Sequence, residues 1–180
     1  DDAPGPGRKT KVLSSKAGAM GAVWGAAVIP LLGIERMVSF DPAELINESQ
    51  MVESATVYES VLGYKNPGTT ELEPRLLERL PARTDGGRRY RLTIKRGVRF
   101  DRDACLPDGR ELVAEDVVYS WKRLLDPNQH FAGAWALRDL VAREDIRRVG
   151  EREVEVVLPR ASATFLYRLA MPATAIVARE

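Results

Sequence analysis

Apolar and polar side chains alternate strictly from Tyr90 to Lys95, which predicts a strand with one buried face. Gly97 interrupts the alternation, and Val98 and Phe100 resume it. Residues 101 to 110 are polar and contain Pro107-Asp108-Gly109, a sequence typical of a turn. This part of the chain therefore predicts a strand followed by a turn and a polar loop.

After Val113 the apolar residues no longer recur at every second position but at the spacing of a helix. The apolar positions that share one face of this segment are Val117, Val118, Trp121, Leu124 and Leu125. Glu115 and Asp116 fall in the first turn, where the helix dipole favours anions. The helix should end at Asp126-Pro127, because the residue before a proline is pushed out of the helical region. Val113 cannot act as a polar cap, and an uncapped start costs about 1 kcal/mol.

Two hairpins are predicted around glycine-containing turns. The first joins residues 76–80 to residues 90–95 across Asp85-Gly86-Gly87. The second joins residues 147–149 to residues 153–158 across Gly150-Glu151. Hairpins interspersed with helices predict the α+β class, with an antiparallel-rich sheet and helices packed on one face.

Three further elements complete the prediction. Asp41 should cap a helix that begins with Pro42 and extends as far as Gly63. The predicted apolar face of this helix consists of Leu45, Val52, Ala55, Tyr58 and Leu62. We also expect a helix over residues 161–171 and a strand over residues 173–178.

Composition narrows the classes of function. The chain has 180 residues, a net charge of +1 and 44% hydrophobic residues, which fits one folded core. Its 27 basic residues are dispersed among 26 acidic ones, so we expect no nucleic-acid partner. Cys105 and His130 are the only residues of their types, which excludes an intrachain disulfide and makes a multi-ligand metal site improbable. We expect no metal, no cofactor and no catalytic residues.

A hydrolytic enzyme built on Glu111, Glu115 and Asp116 is the weakest hypothesis. Glu115 and Asp116 are adjacent on the predicted helix, so their carboxylates do not face each other. Their position in the first helical turn explains them more simply.

The N-terminal region allows two interpretations. Residues 1–27 form a basic tail that becomes rich in Ala and Gly, and residues 17–34 carry no charge. Residues 17–27 fit either a signal peptide or membrane anchor, or a folded segment. Residues 28–34 are better explained as a strand.

A series of short motifs, in a fixed order, resembles the extracellular solute-binding proteins of ABC importers, in the peptide-, dipeptide- and nickel-binding family. In order, the motifs are Phe40-Asp41-Pro42-Ala43, residues 57–64, residues 72–78, residues 85–90, residues 95–100, Asp108-Gly109, residues 112–120, residues 123–127, residues 154–158, residues 169–172 and Ile176-Val177. The resemblance covers about residues 35 to 180. The chain departs from the family at Val113, where the family has a capping threonine, and at Leu80, where it commonly has a tryptophan.

The resemblance implies part of a two-lobed fold of the periplasmic-binding-protein type. Residues 28–41 would be the first strand of the ligand-binding lobe, residues 42–158 a small appended α+β domain, and residues 159–180 a helix and strand returning to the lobe. The implied function is capture of a small solute, such as a peptide, and its delivery to an ABC permease. The implied location is periplasmic or extracytoplasmic, with an N-terminal membrane anchor as one option.

The resemblance also implies a ligand border formed by Phe131, Gly133, Trp135 and Met171. The aromatic side chain that the family places at position 133 is absent, so its stacking role is either lost or moved to Trp135. Packing in the core is the alternative role for Phe131, Trp135 and Met171.

The alternative function is a truncated interaction module that does not transport. The two functions differ in whether the natural chain continues past Glu180: a longer chain favours transport, and a chain that ends there favours the interaction module. In the family, residues that correspond to 171–177 would pack against a second lobe. We therefore expect these residues to be exposed in the isolated chain and to cause it to self-associate.

Overall fold

The fold centres on a four-stranded antiparallel sheet. The structure, a computed structural model, describes residues 11–12, 39–45, 48–66, 68–102 and 106–180. The strands, in chain order, are β1 (Lys11–Val12), β2 (Leu62–Tyr64), β3 (Leu72–Pro74), β4 (Ala82–Thr84), β5 (Arg89–Thr93), β6 (Arg99–Phe100), β7 (Arg110–Glu111), β8 (Ile146–Arg148) and β9 (Glu153–Val157). The α-helices are α1 (Glu48–Val57), α2 (Ala114–Leu124) and α3 (Phe165–Arg168).

The main sheet has the order β4-β5-β9-β8, and each neighbouring pair is antiparallel. In its central pair, Arg89 lies opposite Val157 and Thr93 lies opposite Glu153. Two smaller units accompany it. β2 and β3 form an antiparallel pair, while β6 pairs antiparallel with β7 and parallel with β1. The predicted antiparallel-rich sheet is therefore present.

Alternation along β5 and β9 gives the main sheet one apolar and one charged face. Tyr90 and Leu92 on β5 are buried, as are Val154 and Val156 on β9. On the other face, Arg89 donates to Glu155 Oε1 at 2.7 Å. The apolar face packs against α2 and also receives Phe165, whose ring centroid lies 4.7 Å from that of Tyr90. Helices thus cover one face, as the alternation predicts.

Helix α2 has the predicted bounds and the predicted buried face. Val117, Trp121 and Leu124 are each exposed by 2% or less. Val113 precedes the helix without a side-chain cap, but Asp116 Oδ2 accepts a hydrogen bond from the Val113 amide at 3.0 Å. The helix start is therefore stabilised by an acidic residue at its third position rather than by a cap.

The predicted helix from Pro42 to Gly63 is wrong in its extent and in its buried face. A 3-10 turn over Pro42–Glu44 ends at Leu45, whose backbone is extended, and α1 ends at Val57. Leu62 is instead paired with Pro74 in β2 and β3. On α1, Val52 is 62% exposed, whereas Gln50 and Ser54 are buried. The prediction assumed that the apolar positions of the period are buried, whereas this helix buries Gln50 and Ser54 instead.

The first hairpin is present with a different first strand. The strand is β4, next to the turn, rather than residues 76–80. Leu76 and Leu77 are buried, and Leu77 makes one isolated bridge to Ile94. The second hairpin, β8 and β9, lies where it is predicted.

The C-terminal region differs from the prediction in two ways. α3 is only four residues long and begins after Thr164, whose amide donates to Ser162 Oγ at 3.3 Å; short polar side chains of this kind compete with helical bonding. Residues 173–178 form a 3-10 turn followed by extended chain, not a strand. The Ile176 amide bonds to Glu59 O, and the Val177 amide bonds to Ser120 Oγ.

The expected exposure of residues 171–177 is wrong for most of that segment. Residues 173 to 178 are each exposed by 5% or less, because they pack between α1 and α2. The predicted strand over residues 28–34 and the signal or anchor over residues 17–27 lie outside the described residues. Among the residues that are described, no helix has the length and apolar character needed to cross a membrane.

Candidate functional site

Three short 3-10 turns from distant parts of the chain pack against one another. They are turn A (Pro42–Glu44), turn B (Ala132–Ala136) and turn C (Pro172–Thr174). We call this arrangement the turn junction. Ala43, Ala134 and Ala173 are each exposed by 3% or less, so small side chains allow the three backbones to approach closely.

Gly133 lies at the centre of the turn junction. A Cβ atom added to Gly133 would lie 2.8 Å from Ala43 O and 3.1 Å from Ala173 Cβ. Real Cβ atoms essentially never come as close as the first of these distances. The absence of an aromatic residue at this position therefore has a steric reason in this chain: turns A and C occupy the space.

Phe131, which precedes turn B, connects the junction to α2. Its ring is 9% exposed, and the Arg123 guanidinium lies 4.7 Å from the ring centroid. Arg123 also pairs with Asp41, with Nη1 donating to Oδ1 at 3.1 Å. Asp41 Oδ1 in turn accepts a hydrogen bond from the Ala43 amide at 2.9 Å. A cation–π contact and an ion pair thus hold Phe131 and turn A at the C-terminal end of α2.

Trp135 is exposed at the edge of the junction. Its side chain is 43% exposed, so it is not a core residue. Arg168 Nη1 donates to Trp135 O at 2.7 Å, and the guanidinium lies 5.8 Å from the Trp135 ring centroid. Asp139 accepts two hydrogen bonds from the same guanidinium, at 2.9 and 3.2 Å. The indole is therefore positioned by its neighbours while a large part of its surface contacts solvent.

Met171 immediately precedes turn C and is partly buried. Its carbonyl oxygen accepts hydrogen bonds from Ser60 Oγ at 2.8 Å and from Thr174 Oγ1 at 2.9 Å. The fold therefore brings the turn that contains Gly133 and Trp135 next to the turn that follows Met171.

Ser60, Arg123 and Arg168 support this region, and the sequence reasoning did not identify them. Each acts on a residue far away in the chain, through a backbone carbonyl or a carboxylate. No local pattern marks such a role. The arginine that precedes Phe131 by eight residues could have been noticed only as a possible cation–π partner.

Tyr58 lies beside the junction in a small cluster with Ala175 and Val177. Burial raises the pKa of Tyr58 to about 12, with a further increase from the charge of Asp41 and a decrease from Arg123. This phenol therefore stays neutral at any pH at which the junction would operate.

The three carboxylates considered for hydrolysis do not form a catalytic pair. Asp116 is fully buried and is bound by Arg110, while Glu111 Oε1 accepts a hydrogen bond from the Gly97 amide at 2.7 Å. Each of these two carboxylates thus has a structural partner. Across the described part of the chain, no three His, Cys, Asp or Glu side chains lie together as possible metal ligands.

Comparison with known proteins identifies the family. Residues 71–180 match the bacterial extracellular solute-binding proteins, family 5 middle. The chain is 33% identical over 152 residues to di/tripeptide-binding protein 2 of Pseudomonas aeruginosa, covering 78% of this chain and 28% of that protein. It is 29% identical over 152 residues to heme-binding protein A of Haemophilus influenzae, covering 79% and 27%.

Solved structures confirm the fold class. A dipeptide-binding protein of a Pseudoalteromonas species, in complex with Met-Leu, superposes with a TM-score of 0.69 at 20% identity, covering 94% of this chain and 32% of that one. A periplasmic binding protein of Helicobacter pylori, in complex with the peptide STSA, gives a TM-score of 0.69 at 23% identity, covering 78% and 28%.

The chain spans less than a third of the length of each of these four proteins. All four are named as binding proteins rather than enzymes, in agreement with the expected lack of enzymatic activity. With more than half of its residues matched, this chain belongs to the bacterial extracellular solute-binding proteins, family 5.

Proposed function

We propose that this chain is part of the substrate-binding component of an ABC importer, which captures a short peptide or another small solute outside the membrane and delivers it to a permease. The observation that carries the proposal is the family match over residues 71–180. Relatives named for di- and tripeptides favour a peptide as the solute, and a relative named for heme is the reason to include other small solutes.

The proposed ligand border is the turn junction with Phe131, Gly133, Trp135 and Met171. Trp135 is the side chain best placed to contact a solute, because its ring is exposed and its backbone is fixed by Arg168. Gly133 has a different role: it allows turns A and C to approach turn B. Phe131 is largely buried and would hold the position of the border.

The proposed mechanism is closure of two lobes on a solute, in which the closed state is favoured only by contacts with that solute. Residues 28–41 and 159–180 would belong to the ligand-binding lobe, and residues 42–158 to the appended domain. Turn C, in the returning segment, packs against turns A and B of the proposed appended domain, which supports a ligand border where the two proposed parts meet.

The test begins with the natural protein in its source cells. An antibody against residues 40–130 would isolate the protein under native conditions, and mass spectrometry would measure its intact mass and identify any small molecules it retains. We expect a species several-fold larger than 20.0 kDa that carries a peptide or another small solute. A species near 20.0 kDa with no retained solute would contradict the proposal and favour the interaction module.

A further inference from the structure

A groove lies between α2 and Arg143, which precedes β8 in the chain. Its volume is about 430 Å³, within the range of roughly 300 to 1,000 Å³ that small-molecule sites occupy. The charged residues that line it are Glu115, Lys122, Arg123, Asp126 and Arg143. Val118 and Tyr119 supply its apolar wall.

Most of the charges in the groove are already matched. Arg123 pairs with Asp41 at the turn junction. Arg143 Nη2 lies 3.6 Å from Asp126 Oδ2, which forms a second pair at the C-terminal end of the helix. These two pairs cancel, so they favour neither an anionic nor a cationic ligand.

Glu115 and Lys122 are the remaining charges, and neither forms an ion pair or a side-chain hydrogen bond with any part of the chain that the structure describes. Both side chains are partly exposed and line the groove. One carboxylate and one ammonium that have no partner among the described residues match a ligand that carries one charge of each sign.

The spacing of the two free charges sets the length of the ligand. Glu115 and Lys122 are seven residues apart on α2, which corresponds to about 10 Å along the helix axis at 1.5 Å per residue. An extended peptide spans at most about 3.3 to 3.6 Å per residue, so about three residues bridge this distance.

We propose that the α2 groove is a second binding site, for a peptide of about three residues with both termini free. Its ammonium group would pair with Glu115 and its carboxylate with Lys122, while its side chains lie against Val118 and Tyr119. The site is separate from the turn junction and does not depend on the proposed function. Arg123 borders the groove and also contacts Phe131 and Asp41 at the turn junction.

The test is an NMR titration of the isotope-labelled 180-residue chain with dialanine, trialanine and pentaalanine. We expect saturable amide shifts along α2 and at Arg143, with trialanine binding most tightly. N-acetyl-trialanine amide, which lacks both terminal charges, should cause no saturable shift. Equal binding of the blocked peptide, or the absence of saturable shifts along α2, would overturn the proposal.

Matched variants separate the charges of the groove from general charge effects. Glu115→Gln/Lys122→Gln should weaken trialanine binding by about tenfold, because it removes both terminal ion pairs. Lys65→Gln/Glu71→Gln removes one exposed charge of each sign from an ion pair outside the groove, and it should leave the affinity unchanged. Similar affinities of the two double variants would contradict the assignment.

Trp135→Ala distinguishes this site from the turn junction. It should leave the trialanine titration at α2 unaltered, whatever solute the junction binds. Loss of the groove titration in Trp135→Ala would mean that the two regions form one site, which would also overturn the proposal.

Discussion

Arg110 binds both carboxylate oxygens of Asp116, with Nη1 donating to Oδ2 at 2.7 Å and Nη2 donating to Oδ1 at 2.6 Å. Asp116 is fully buried at the start of α2. The same guanidinium also donates to Glu180, from Nε at 2.9 Å and from Nη2 at 2.6 Å. It therefore fastens β7, the start of α2 and the last residues of the chain to one another.

Removing Arg110 should destabilise the fold strongly. Arg110→Met leaves the Asp116 carboxylate buried without its cation, which costs about 3 to 5 kcal/mol for a buried pair. The free energy of unfolding in urea measures this loss. Arg138→Met is the control, since that exposed side chain forms no ion pair within the described residues, and it should change stability by less than about 0.5 kcal/mol. Equal effects of the two substitutions would contradict the structural role of Arg110.

Acid should release the contact between Arg110 and Glu180. Arg110 lowers the pKa of Glu180 below its usual value of 4.5, first through the hydrogen bond and then through its charge. A lowered folded-state pKa gives stability that is present above 4.5 and is lost as the pH falls through the folded value. Glu180→Gln should therefore flatten the dependence of stability on pH below about 4.5, as measured by urea unfolding. Parallel profiles of the two proteins would show that this contact does not contribute.

Alkali should destabilise the protein through Tyr58. Its pKa is raised from 10.0 to about 12, mainly by burial, so the unfolded chain ionises this phenol before the folded chain does. Stability is then lost as the pH rises from 10.0 to about 12. Tyr58→Phe should remove part of this loss in unfolding measurements. Tyr167→Phe is the matched control, because that ring is 39% exposed, and a similar change in both variants would contradict the explanation.

Gly133→Ala should disturb the turn junction. The added methyl group would contact Ala43 O and Ala173 Cβ at distances that require the turns to move apart, and overpacking of this kind costs about 1 to 3 kcal/mol. Thermal unfolding would measure the loss. Ala132→Ser, at the exposed neighbouring position, should leave the melting temperature nearly unchanged. A melting temperature of Gly133→Ala equal to that of the unsubstituted chain would show that the junction is loosely packed.

The sequence predicts an element correctly where the residues that its apolar pattern places on one face are also the residues that the fold buries. The alternation at Tyr90 and Leu92 predicts β5, and the helical period that includes Trp121 predicts α2. Both segments bury their apolar face on the same core. The second hairpin was predictable for the same reason, since Val154 and Val156 alternate with glutamates.

Where tertiary packing overrides the local pattern, prediction failed. Val52 was assigned to a buried face, but α1 turns Gln50 and Ser54 inwards. The close approach at Gly133 depends on turns 90 residues away in one direction and 40 in the other, and no local pattern encodes it. The ligand border stays a prediction, and the motifs did not indicate which of its residues face solvent.

The most direct test of the account is the dissociation constant of the retained solute for the natural protein and for its Trp135→Ala variant. Trp135 is exposed, so its removal should leave the melting temperature nearly unchanged. Loss of one aromatic contact should weaken binding by about tenfold. Tyr167→Ala, which removes another exposed aromatic ring, serves as the control and should bind normally. Unchanged affinity of the Trp135→Ala variant would contradict the placement of the solute at the turn junction.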